Sequence, residues 1–158
     1  MEEKNVLTEE MILEIGIEFS GDVCYSGEYG QQVFDKPMED GGKPIDGIIY
    51  EKNEDGNVGY YKNYKNGIPN GEAVEFYASG HLRSKCIMDR GTIDEEKVVW
   101  YENGKIKSKE NCKYGLVLES SKWDEEGNLI NQKKNLTEGE KRIFEKFEKL
   151  EARRSSKL

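Results

Sequence analysis

Asn70-Gly71-Glu72-Ala73-Val74-Glu75-Phe76-Tyr77-Ala78-Ser79-Gly80-His81-Leu82 reads as a strand, a turn ending in glycine, and the start of a second strand. The same pattern returns 24 residues later as Val98-Val99-Trp100-Tyr101-Glu102-Asn103-Gly104-Lys105-Ile106. Working outward, Gly47, Gly71 and Glu95 share one register, Gly56, Gly80 and Gly104 a second, and Gly67, Gly91 and Gly115 a third. Four residues before the second-register glycine stand Lys52, Phe76 and Trp100, and two residues after it stand Val58, Leu82 and Ile106. A shortened fourth copy places Trp123 before Gly127 and Leu129 after it. A period of this size means stacked supersecondary units, none of which buries its apolar face without neighbours.

Each unit is expected to be a β-hairpin. The turns Glu54-Asp55-Gly56, Ala78-Ser79-Gly80, Glu102-Asn103-Gly104 and Glu125-Glu126-Gly127 have glycine last. Only glycine takes the left-handed conformation of that position without a Cβ clash. Strict alternation then sends Val74, Phe76, Leu82 and Cys86 to one face, with Val98, Trp100, Ile106 and Cys112 following. Glu75, Tyr77, Arg83 and Lys85 go to the other face, continued by Lys105, Lys107 and Lys109.

The flanks read differently. Thr8 is a helix N-cap with Glu9 and Glu10 at the positive end of the dipole, and Gly16 stops that helix. Residues 17–34 alternate unevenly around Gly21, Gly27 and Gly30 and read as one or two strands. At the other end Thr137-Glu138-Gly139-Glu140 is a capping box. Ile143, Phe144, Phe147 and Leu150 then form a helical stripe, with Glu145 and Lys149 as an exposed pair. The expected fold is mainly β: an antiparallel meander of about 24-residue hairpins in an extended or curved sheet. A short N-terminal helix and an amphipathic C-terminal helix cap it. Its parts are an N-terminal capping segment (1–42), the repeat sheet (43–133) and a C-terminal helix with its tail (134–158).

Charge is uneven. The total is −8, yet residues 1–60 hold 15 acidic and 4 basic groups, whereas 61–158 hold 17 and 20. The acidic end opposes nucleic-acid phosphates and attracts a basic partner. Three cysteines without ligand spacing read as reduced thiols, the acidic opening is unlike a signal peptide, and no apolar run suits a membrane span. The expected location is cytoplasmic.

No catalytic group emerges. His81 is the sole histidine and follows a turn glycine. Glu51-x-Asn53-x-Asp55-Gly56 opens like a calcium loop, but Lys62 stands where the bidentate glutamate belongs. Asn135-Leu136-Thr137 is a glycosylation sequon in pattern only. The expectation is therefore no enzyme, no metal and no cofactor.

The Phe76-Tyr77/Gly80/Ser84 and Trp100-Tyr101/Gly104/Ser108 pattern resembles the MORN-repeat variant, and above all the bacterial YwqK-type antitoxins and immunity proteins. The likeness spans about residues 43–133; Thr92 to Glu96 and the last copy depart from it. It implies a cytoplasmic immunity protein that occludes a nuclease-type protein toxin, as a monomer or as a heterodimer with that toxin. The acidic third places the contact at Asp22, Tyr25, Glu28, Tyr29, Tyr50, Glu54, Asp55, Tyr60 and Tyr61, with the tyrosines as anchors. The alternative is a non-catalytic scaffold or membrane-surface module using Arg83, Lys85, Lys105, Lys107 and Lys109.

Overall fold

The computed structural model describes residues 5–19, 25–26 and 32–157, with 25–26 as backbone. The fold is mainly β. Strand β1 (Ile17–Glu18) follows helix α1 (Glu9–Ile15), and a two-stranded ribbon pairs β2 (Tyr25–Ser26) with β3 (Val33–Phe34). Then come β4 (Gly47–Lys52), β5 (Val58–Lys65), β6 (Ile68–Phe76), β7 (Leu82–Asp89) and β8 (Thr92–Trp100). The last strands are β9 (Ile106–Lys113), β10 (Leu116–Trp123) and β11 (Leu129–Lys133), followed by helix α2 (Glu138–Ser156). One open nine-stranded sheet runs in the order β1-β4-β5-β6-β7-β8-β9-β10-β11. It is antiparallel except where β1 lies parallel to β4, Ile17 opposite Ile49.

Two turn types alternate. Asn53, Tyr77, Tyr101 and Asp124 each donate their N–H to the carbonyl four residues on, and each accepts from the glycine three residues on. Those glycines have φ of 89°, 87°, 86° and 96°, the conformation that excludes a Cβ. At the opposite edge, Asn66-Gly67, Arg90-Gly91 and Tyr114-Gly115 have positive φ at both positions, as two-residue type I′ turns require.

The faces differ from strict alternation. Phe76 lies opposite Leu82 but Glu75 lies opposite Ser84, so Arg83 is an extra residue in β7. Lys107 is extra in β9, Gly59 in β5 and Ile130 in β11. Such a bulge inverts parity beyond it. Val74 therefore shares a face with Lys85 and Val98, and Cys86 faces the other way with Ala73. The expected all-apolar and all-charged faces are both mixed.

The core is narrow and sits beneath α1. Ile12, fully buried, packs with Tyr50, Val58, Tyr61 and Val74, flanked by Val6, Leu7, Ile48, Phe76 and Leu82. The Thr8 hydroxyl caps α1 by accepting from Met11 N–H at 3.3 Å, and Gly16 N–H closes it on the Ile12 carbonyl. Residues 32–46 clamp the first type I′ turn: Val33 N–H reaches Gly67 O, and Gly67 N–H reaches Ile45 O. α2 takes the other two, so it lies along the turn edge rather than across the last hairpins. Its capping box forms as expected, while none of its residues is buried.

Candidate partner-binding surface

Of the nine expected contact residues, Asp22, Glu28 and Tyr29 lie outside the described residues, and Tyr25 is placed only as backbone in β2. Glu54 and Asp55 are exposed at the β4–β5 turn, where the Asp55 carboxylate accepts from Asn57 N–H at 3.0 Å. Tyr60 is half-buried beside them. Its hydroxyl donates to Glu51 at 2.8 Å, and the Lys62 ammonium lies 5.2 Å from its ring centre. Glu51 and Tyr60, opposite each other in β4 and β5, thus stand at the same end of the hairpin as the Glu54-Asp55 turn.

Tyr50 and Tyr61 do not join these residues, because period two turns them to the opposite face, under α1. Tyr61 is fully buried. Its hydroxyl donates to the Glu72 carboxylate and accepts from Leu7 N–H at 3.0 Å. Burial, then the hydrogen bond to Glu72, pushes its phenol above the ordinary tyrosine range. Lys85 completes the group, 3.4 Å from Glu72, and donates to the Asn5 carbonyl at 2.8 Å. The segment of residues 5–7 is thus pinned to the sheet by a satisfied polar network.

The basic stripe does not exist as one face. Lys85 is engaged with Glu72, whereas Arg83 and Lys107, at bulges, lie over the Tyr77 and Tyr101 rings at 5.6 and 5.4 Å. The two tyrosine hydroxyls donate to the carbonyls of Trp100 and Trp123. Sequence reading missed these fixed tyrosine–cation pairs; the signal was a tyrosine immediately after Phe76 and after Trp100.

A cleft of about 670 Å³ separates α2 from the β7–β8 and β9–β10 turns, lined among others by Asp89, Arg90, Lys113, Tyr114, Phe147 and Glu151. Four carboxylates stand there against three cations, and all but Asp94 are paired with one another. Cys86 and Cys112 are free and buried, and burial raises both thiols, which suits packing rather than nucleophilic use. Among the described residues no cluster of three or more His, Cys, Asp or Glu is placed to hold a metal. No helix among them is long and apolar enough to cross a membrane.

Together these features define a mainly β protein: one open, mostly antiparallel nine-stranded sheet with a short N-terminal and a longer C-terminal helix. No family model matches the chain, and no solved structure matches it. The immunity protein YwqK of Bacillus subtilis (strain 168) is 31% identical over 147 residues, covering 93% of this chain and 91% of that relative. The chain belongs to the YwqK family of immunity proteins.

Proposed function

We propose that this chain neutralises a cognate, basic protein toxin of the nuclease type by covering its substrate-binding surface. The observation that carries the reading is the near full-length likeness to an immunity protein. The acidic patch of Glu51, Glu54, Asp55 and Tyr60 supports it. Carboxylates there would compete with substrate phosphates for the same cations and would speed encounter. The contact extends to Asp22, Tyr25, Glu28 and Tyr29, and Tyr50 and Tyr61 act from beneath by holding β4 and β5 in place. We read the sheet as MORN-variant hairpin units over residues 43–133, framed by the segments 1–42 and 134–158, and the chain as a cytoplasmic binding protein without catalytic activity.

Titrating the purified toxin with this chain tests the mechanism. Nucleic-acid cleavage should fall to zero at one equivalent. Charge reversal of Asp22, Glu28, Glu54 and Asp55 together should slow association steeply at low salt. A toxin that is bound but still cleaves fully would exclude occlusion.

A further inference from the structure

Helix α2 has three sectors. One is held on the sheet, an apolar one is used by the fold only in part, through Phe147 on Tyr114 and Leu150 at the cleft, and a basic one is left free. On the sheet side, Phe144 and Phe147 pack on the Tyr114 ring at 5.4 and 5.2 Å. Glu148 reaches Lys113 at 3.3 Å, Glu151 reaches Arg90 at 3.1 Å, and Glu140 reaches Lys133 at 2.9 Å. Three of the helix's five acidic groups are thereby drawn toward the sheet.

Next around the helix runs an apolar stripe, Ile143, Phe147 and Leu150, which stays 46%, 40% and 51% exposed. Parallel to it run Arg142, Lys146 and Lys149, each one residue before a member of the stripe, and then Arg153, all exposed. The 4-3-4 spacing keeps these four cations on one face. Among the described residues none of the four takes part in an ion pair, and the Glu145–Lys149 pair expected from the sequence does not form. Glu138 and Glu145 only border the stripe on its far side.

A row of free cations beside an exposed apolar row is the layout of a helix lying flat in an anionic lipid interface, with cations at headgroups and apolar chains below them. We propose that α2 docks this protein on anionic membrane surface. A nucleic acid or an acidic protein would satisfy the cations and leave the adjoining apolar stripe without a counterpart. The acidic patch does not oppose the docking. It lies at the other edge of the sheet, a strand length of about 25 Å away, beyond the Debye length of about 8 Å at physiological salt. The proposal is independent of the toxin reading.

The test is co-sedimentation of the full chain with phosphatidylcholine vesicles and with vesicles holding about 30% phosphatidylglycerol. Binding should appear only with the anionic vesicles and vanish at about 0.5 M salt. Neutralising the stripe (R142Q/K146Q/K149Q/R153Q) should weaken it about fivefold per cation. I143S/L150S, which leaves the Phe147–Tyr114 contact intact, should weaken it about tenfold or more. Circular dichroism confirms that both variants are folded. Absence of binding to anionic vesicles, or equal binding by the neutralised chain, would overturn the proposal. Equally tight capture by polyglutamate, indifferent to I143S/L150S, would overturn it in favour of an acidic protein.

Discussion

The Tyr77 hydroxyl donates to the main-chain carbonyl of Trp100 at 2.7 Å, tying one hairpin to the next through a side chain instead of a strand ladder. Tyr101 repeats the bond to Trp123 at 2.9 Å. The corresponding residue of the first hairpin is Asn53, too short for that reach, and its buried Nδ2 has no partner. A single-layer sheet has little core to resist shear between strands, so these ties matter more here than in a sandwich.

Tyr77→Phe should cost about 1 kcal/mol, the ordinary net value of a protein hydrogen bond, and Tyr101→Phe should destabilise in the same direction. Urea unfolding checks this. The two costs should be coupled and not simply additive, because the Trp100 carbonyl that Tyr77 reaches belongs to the peptide that joins Trp100 to Tyr101.

Glu95 occupies the register that Gly47 and Gly71 hold, and it adopts φ of 58° where they adopt 112° and 101°. A side chain there is strained. Glu95→Gly should raise stability by about 1 kcal/mol, read as an upward shift of Tm. An unchanged or lower Tm would show that the strain is smaller than the chain entropy that glycine adds to the unfolded state.

Ile12 is the only α1 side chain in the core, sitting over Tyr50 and Tyr61. Ile12→Ala should cost about 2–4 kcal/mol. Amide exchange across residues 5–16 should rise well before the sheet opens, because this segment is otherwise held by Leu7 N–H on Tyr61 and Lys85 on Asn5.

The Glu140 carboxyl is held below its ordinary value of 4.5, first by the Thr137 N–H and then by Lys133. Because the folded value is depressed, its stabilisation is complete above 4.5 and is lost as pH falls through the folded value. Glu140→Gln should therefore lower Tm near neutrality, and the gap from the parent chain should close as pH falls through the carboxyl's depressed folded value. A gap that persists in acid would assign the loss to packing.

The turns were the most legible part, because glycine at 56, 80, 104 and 127 meets a conformational demand that other residues meet only with strain. Helix ends were legible for the same local reason, at Thr8, Gly16 and Thr137. Side-chain faces were not. A bulge at Arg83 or Lys107 looks like any other strand residue in sequence, yet it reverses everything beyond it. Tyr50 and Tyr61 were drawn inward on that account of alternation and neighbours, leaving Tyr60 and the Glu54-Asp55 turn at the surface. The two-residue β1 and its parallel pairing with β4 carry too few residues for a pattern. The docking of α2 depends on Arg90 and Tyr114 standing in left-handed turn positions where asparagine, as at 66, is the usual choice.

The most direct measurement is growth of cells making the protein that this chain captures from its native host, alone and together with the chain. The account predicts arrest with the captured protein alone and normal growth with both. Arrest in both cases, or growth in both, would contradict neutralisation.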